Sequence, residues 1–364
     1  MSTTSIPFYV KLCLHLVTIF ILGMLIHAGS DILMPVCFAI LLAMLLLPFV
    51  NWLIRKGIPD VAAMLLAILL AALFVGGIIY FLSSQVASFM NDLPAIKEKL
   101  SHHISTLQNW IIDRLNISMK QQDSAVESAK QNMQQGSSGM GDALLGIANA
   151  MVMLVLLPIY TFLILYYRKL IHKFLLDVFA DRYRSNVEEV LTESKTIVQG
   201  YMVGLMLEMA IVTILNTAGF LIIGIQYAIF LALLAAVLNL IPYIGMLIAS
   251  VICMAVTLTT SENAADIIWV GVILIAVQFI DNNFIMPYVV SSKVRINALV
   301  SIIGVLMGGA LAGLSGMFLS IPAIAILKII FERVEGLKPW GELLGDDQRI
   351  STSKKRKGRV KKES

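Results

Sequence analysis

Two carboxylates lie inside long apolar segments of this chain, where a charge is unfavourable. Glu208 sits within residues 202–210, and Asp281 within residues 278–284, next to Asn282. An ionisable side chain among residues that would lie in lipid is a functional-site hypothesis by default. Either carboxylate could bind and release a proton, or coordinate sodium together with free carbonyls. The structural alternative is a hydrogen bond that packs two helices together.

Two other apolar stretches are interrupted by residues that break helices. Residues 227–260 break near Asn239, Pro242 and Gly245. The proline removes a backbone donor, and the asparagine offers both a donor and an acceptor at the break. Residues 298–331 break in a run of small residues, where glycines permit a tight reversal and close helix approach. The glycines that bracket this second break are Gly308, Gly309, Gly313 and Gly316.

The composition indicates that these segments lie in a membrane. Hydrophobic residues make up 59% of the 364 residues and charged residues only 14%, against about 25% charged in a soluble domain. The apolar runs approach the roughly 20 residues that cross a bilayer as helix. We therefore predict an all-α, polytopic membrane protein. Its three cysteines and five histidines form no motif with metal-ligand spacing, so we expect neither a metal nor a cofactor.

The distribution of Lys and Arg orients the chain. Basic residues gather beside spans at Lys11, Arg55–Lys56 and Arg168–Lys169, which places these positions on the cytoplasmic side. We therefore expect both termini on the cytoplasmic side. The basic tail is attracted to anionic headgroups rather than to nucleic acid. We expect about six full spans, near residues 12–27, 32–54, 61–82, 144–167, 200–223 and in the segment that carries Asp281.

The turns that flank the last spans favour two re-entrant hairpins over two long kinked spans. The turn at 260–266 is acidic and the turn at 291–295 is basic. Hairpins put the acidic turn outside and the basic turn inside, as the charge bias prefers. Span plus hairpin then occurs twice in opposite orientation, an inverted repeat at the level of architecture. Interrupted segments at corresponding places in two halves point to a transporter's binding site.

Five regions follow from these patterns. The amphipathic insertion has Val86, Phe89 and Leu93 on a helical period that extends the third span. We predict scaffold spans at 1–83, an extracytoplasmic helical insertion at 84–142, a fourth span with a cytoplasmic amphipathic connector at 143–199, a transport core at 200–331 and a basic cytoplasmic tail at 332–364.

Enzyme chemistry finds little support in the sequence. Gly313–Gly316 matches the Gly-x-Ser-Gly string of intramembrane serine proteases, but a serine nucleophile needs a base within hydrogen-bond reach. All five histidines precede the last four hydrophobic segments. No phosphate-binding loop of the Gly-x-x-x-x-Gly-Lys-Ser/Thr type is present, so we expect no ATP hydrolysis and no catalytic residue.

Residues 239–322 resemble the C-terminal signature of the autoinducer-2 exporter (AI-2E) family, also described as PerM-type permeases. The family often has a proline after the basic turn, where this chain has Asn297–Ala298. The resemblance implies a secondary transporter that is homo-oligomeric. The matching positions are Asn239, Pro242, Gly245, Asp281, Asn282, Pro287, Gly304, Gly308, Gly309, Gly313, Gly316 and Pro322.

The resemblance and the interrupted segments together predict a permease or exporter of a small solute such as the quorum-sensing signal autoinducer-2, coupled to a proton or sodium gradient. A sodium/proton antiporter is an alternative within the same family. A membrane scaffold or receptor that binds a partner through residues 84–142 is the alternative from another class. Paired interruptions favour transport, because a scaffold has no use for them.

The hairpin topology predicts that Ser261 and Ser292 face opposite sides of the membrane, with Ser261 outside. Cysteine substitutions at these positions, with Cys13, Cys37 and Cys253 replaced, are to be treated with an impermeant maleimide on intact cells. We expect labelling of Ser261→Cys and protection of Ser292→Cys until the membrane is opened. The reverse pattern would exclude the hairpin topology.

Overall fold

The fold was taken from a computed structural model, which describes residues 7–92, 155–242, 244–261, 263, 265–291 and 295–345. Every regular element within these ranges is helical, which confirms the predicted all-α class. The chain begins with α1 (Phe8–Ala28), α2 (Ser30–Arg55) and α3 (Asp60–Asn91). The third span does continue as helix beyond residue 82, as far as Asn91. The rest of the predicted insertion, and Ser292, lie outside the described residues.

The middle of the chain turns sharply and then enters one long helix. Helix α4, described as Val155–Tyr166, meets α5 (Arg168–Asp177) at an angle of 63°. A 3₁₀ turn at Asp181–Tyr183 leads into α6 (Arg184–Ile223), which has 40 residues. We expected a boundary near residue 200, but no helix end occurs there. A single interior glycine is disfavoured by only about 1 kcal/mol, and buried residues continue on either side of it.

The first interrupted segment folds back on itself. It forms α7 (Ala228–Asn239) and α8 (Ile244–Thr260), which pack against each other. The Cys253 thiol donates to the Leu231 carbonyl over 3.7 Å. Only glycine fits at Gly245, because a Cβ there would overlap the Leu238 carbonyl. At 1.5 Å per residue, the arms span about 18 and 26 Å, less than the roughly 30 Å hydrocarbon core.

The next span changes its helical form halfway. Helix α9 (Ala265–Ile280) continues into π-helical turns at Asp281–Ile285 and Pro287–Ser291. A proline lacks the N–H that would close an α-helical turn, which fits the departure from α geometry around Pro287. Short π-helical segments occur frequently at functional sites. The local geometry therefore directs attention to the polar run that starts at Asp281.

The second interrupted segment also reverses, within α10 (Ala298–Arg333). The break falls at Ala312 and Gly313, and Gly313 has φ 57° and ψ −142°, a conformation suited to glycine. The two arms then run antiparallel, since Ser320 Oγ donates to the Gly304 carbonyl over 2.9 Å. Length and composition alone would count this 36-residue helix as one span. The reversal shows that it is a hairpin.

Asn297 joins the base of this hairpin to the last helix, α11 (Lys338–Leu344). Its side-chain oxygen accepts from the Val300 N–H over 3.2 Å and caps α10. Its side-chain amide donates to the Leu343 carbonyl over 3.2 Å, and its backbone N–H donates to the Leu344 carbonyl over 3.1 Å. A proline at this position could not make the backbone bond, so the departure from the family pattern has a structural consequence.

By length and composition alone, five helical segments of the described residues could cross a bilayer, with the reversed α10 among them, or six if the bent pair α4–α5 is counted as one. The chain is therefore a multi-pass membrane protein. Its described residues divide into two compact units. The predicted regions follow the order of the chain instead, and their boundaries stay predictions. The first unit comprises the described residues within 1–68, 157–205 and 287–364, and the second those within 69–156 and 206–286.

The close hairpin arms of α10 predict that Gly308→Ala destabilises the protein. A Cβ at Gly308 would overlap Ser320 Oγ and the Gly316 carbonyl, and overpacking typically costs about 1–3 kcal/mol. We expect a lower unfolding temperature in detergent. Gly76→Ala is the matched control, since no atom lies within 4 Å of a Cβ at Gly76 in α3. Equal effects of the two substitutions would contradict the tight packing.

Candidate functional site

The two carboxylates singled out in the sequence meet at one asparagine. Asn239 Nδ2 donates to Glu208 Oε1 over 3.3 Å and to Asp281 Oδ2 over 3.1 Å. Glu208 comes from the middle of α6, Asn239 is the last residue of α7, and Asp281 begins the π-helical segment after α9. Three elements of the second compact unit thus place one side chain each at a single point.

This cluster is buried and leaves oxygens without donors. Glu208 is 6% exposed and Asp281 is 2% exposed. Glu208 Oε2 and Asp281 Oδ1 have no hydrogen-bond donor among the described residues. Two neighbouring carboxylates cannot both be ionised without strong repulsion in such a place. A shared proton or a bound cation would relieve it, so the cluster has the chemistry of a proton or sodium site.

The hairpin break explains why Asn239 is free to make this contact. Helix α7 ends at Asn239 because Pro242 cannot continue the backbone ladder three residues later. Gly245 then allows α8 to start directly against the Leu238 carbonyl. Pro242 and Gly245 therefore act through the backbone, by fixing the end of α7. The side chain that reaches the carboxylates is that of Asn239.

Other predicted residues lie elsewhere. The exposed Asn282 accepts from Gln278 Nε2 over 3.1 Å, and Asn283 Nδ2 donates to the Phe279 carbonyl over 2.8 Å. Pro287 is exposed at the start of the second π-helical segment. The structure thus brings Asp281 into the cluster without its polar neighbour Asn282. Adjacent residues on a helix point to different faces, so adjacency in sequence does not give a shared site.

The glycines of the second hairpin belong to the other compact unit. Gly308 and Gly316 face each other across the reversal, and Gly309 faces Met317, whose Cε would lie 2.5 Å from an added Cβ. Gly313 supplies the positive φ of the turn itself. Close packing between the arms and the conformation of the turn therefore explain why these positions are glycine. A place for them on the pathway of a solute stays a prediction.

One buried polar residue was missed by the sequence analysis. Asn216 lies on the buried stripe of α6, two turns after Glu208, and is 2% exposed. Its Oδ1 has no hydrogen-bond donor among the described residues. A polar side chain at membrane depth is the same signal that identified Glu208, but Asn216 carries no charge and, unlike Asn239, lies at no helix break.

Comparison with known proteins gives a consistent result. Residues 14–336 match the family model described as AI-2E family transporter. The chain is 26% identical to the "Putative transport protein YrrI" of Bacillus subtilis (strain 168), over 88% of this chain and 94% of that protein. It is 27% identical to the "Putative permease PerM" of Escherichia coli (strain K12), over 83% and 87%. It is 23% identical to the "Putative transport protein YhhT" of the same strain, over 88% and 90%.

The cluster predicts opposite effects for two asparagine-to-leucine substitutions of equal size. Asn239→Leu removes the only amide that joins Glu208 and Asp281 in the described structure. Leaving buried charged groups without a partner costs about 1–3 kcal/mol or more, so we expect a clearly lower unfolding temperature. Asn216→Leu removes an acceptor that has no donor, so we expect an unchanged or higher unfolding temperature. Thermal unfolding in one detergent would compare both, and equal losses would contradict the bridging role of Asn239.

Proposed function

This chain belongs to the AI-2E transporter family, and we propose that it is a secondary transporter that moves a small solute with the energy of an ion gradient. One observation supports the proposed coupling of transport to an ion gradient. Glu208 and Asp281, both buried in apolar helices, share the amide of Asn239 and keep oxygens free to bind a cation. Ionisable groups of this kind mark proton and ion routes in membrane proteins.

The geometry suggests how ion binding would act on the fold. Asn239 is the end of a hairpin arm, whereas Glu208 and Asp281 belong to two different spans. When both carboxylates are ionised and no cation is bound, they repel each other and strain their hydrogen bonds to Asn239. A bound proton or sodium ion removes that repulsion. Occupancy of the pair would therefore change how firmly the hairpin end is held by the two spans. Transporters with broken helices use such sites for alternating access.

The solute and setting are proposed from the family. We propose export of a small solute such as autoinducer-2 from a bacterial cell, through the inner membrane, by a homo-oligomer with cytoplasmic termini. The relatives' names describe transport proteins and a permease, which supports transport in general. The interrupted segments favour this role over a scaffold that binds partners through residues 84–142.

Sodium/proton antiport is the second candidate, and the same cluster favours it. A carboxylate pair that takes either one proton or one sodium ion makes the two ions compete for a single site. Competition of this kind is sufficient for exchange when the site opens alternately to each side. Solute export and antiport differ in whether an organic solute must move when the ion gradient is dissipated.

We expect Asp281→Asn to leave the protein folded but to make its transport independent of the ion gradient. The amide keeps the shape of the side chain but cannot bind a proton or neutralise sodium. Flux is to be measured in proteoliposomes under an imposed pH or sodium gradient, with autoinducer-2 and with no organic solute.

Glu335→Gln is the matched control, since this exposed carboxylate on the turn at Glu335–Leu337 lies in the other unit. It should transport like the unchanged protein. Gradient dependence that survives in Asp281→Asn would exclude Asp281 as the coupling residue. The absence of any gradient-driven flux in the unchanged protein would exclude both autoinducer-2 export and sodium/proton antiport.

A further inference from the structure

Helix α5 has an apolar face that the described protein leaves uncovered. On this face Leu170 is 63% exposed, Phe174 is 62% exposed and Val178, just past the helix end, is 58% exposed. Ile171 lies between them and is 41% exposed. Residues four apart lie on one side of a helix, so these side chains form one continuous stripe. We call it the α5 apolar face.

The opposite side of α5 is fixed to the start of α6. His172 Nε2 lies 3.3 Å from Glu188 Oε1, and Asp177 Oδ1 lies 3.6 Å from Arg184 Nη2. Leu176, between them on the helix, is buried. These contacts hold α5 in one rotational setting, with the α5 apolar face directed away from α6. The exposure of that face is therefore a property of how α5 is docked.

Cations border one edge of the α5 apolar face. Lys169 and Lys173 are exposed on α5, and Arg182 and Arg184 follow in the next turn. The acidic Asp177 is already paired with Arg184. Helices with an apolar stripe and a Lys-rich polar side lie in the plane of a membrane interface, where anionic headgroups attract the cations. The 63° bend after α4 turns α5 away from the direction of that apolar helix.

We propose that α5 is an interfacial helix that docks on the anionic surface of the bilayer. The α5 apolar face enters the boundary between headgroups and acyl chains, and Lys169 and Lys173 bind anionic headgroups. Charge complementarity identifies the occupant, because an apolar stripe bordered by cations matches an anionic lipid surface. A second copy of this chain would bring the same cations into contact with each other, which is unfavourable.

The position of α5 can be measured with spin labels in the full chain, with Cys13, Cys37 and Cys253 replaced. Phe174→Cys carries the label on the apolar face, and Lys169→Cys is the control on the polar side of the same helix. The vesicles contain equal parts of phosphatidylcholine and phosphatidylglycerol. We expect the label at 174 to collide with oxygen, which dissolves in lipid, and the label at 169 to collide with a water-soluble nickel chelate.

Two results at position 174 would overturn the docking. Collision mainly with the nickel chelate would show that the face lies in water. Protection from both reagents would show that protein covers it, as a second copy would. These results do not depend on transport, so they leave the proposed function untouched.

The headgroup contribution has a separate test on the same label. We expect the double substitution Lys169→Gln and Lys173→Gln, or vesicles of phosphatidylcholine alone, to shift the label at 174 towards the water phase. Lys338→Gln on α11 is the matched control and should leave the depth unchanged. Recognition of anionic lipid would be excluded if neither the lysine substitutions nor the removal of phosphatidylglycerol changed the depth of the label at 174.

Discussion

The structure is governed by one constraint: a polar group inside a bilayer has no water to bond and must find its partner within the protein. Regular helices satisfy their backbone groups by hydrogen bonds along their length. At the two breaks this ladder is interrupted, so polar groups there need other partners. At the first break, the side-chain amide of Asn239 donates hydrogen bonds to two carboxylates. At the second, Ser320 Oγ reaches the Gly304 and Gly316 carbonyls. In each hairpin a polar side chain thus donates to a group on a neighbouring helical segment.

The carboxylate cluster is the exception to this rule, and the exception is informative. Glu208 and Asp281 have acceptor oxygens for which the described protein supplies no donor. A purely structural cluster of this burial would be expected to satisfy them, since a half-satisfied buried network is less favourable than an apolar one. A group that binds and releases a cation needs free acceptors, so these oxygens support the proposed coupling to an ion gradient.

The sequence predicted the elements better than it predicted their contacts. The breaks at 239–245 and 308–316 could be located because proline, asparagine and clustered glycine have backbone consequences that are independent of the fold. The meeting of Glu208, Asn239 and Asp281 could not be derived, since it depends on how three helices pack. Asn282 lies next to Asp281 in the chain but bonds Gln278 instead, because adjacent residues on a helix point to different faces. The continuous α6 was missed because Gly200 is too weak a signal to end a helix that is buried on both sides of it.

The cluster also bears on the proposed inverted repeat. Each carboxylate lies in the span that precedes a hairpin: Glu208 in α6, before α7 and α8, and Asp281 after α9, before α10. In the proposed repeat each half would contribute one carboxylate, and in the described structure the bridging side chain is Asn239 at the first hairpin break. The second hairpin closes with glycines that pack its arms tightly. The proposed repeat therefore concerns the placement of the two carboxylates, whereas the residues at the two breaks differ, with Asn239 at the end of α7 and Gly313 at the reversal of α10.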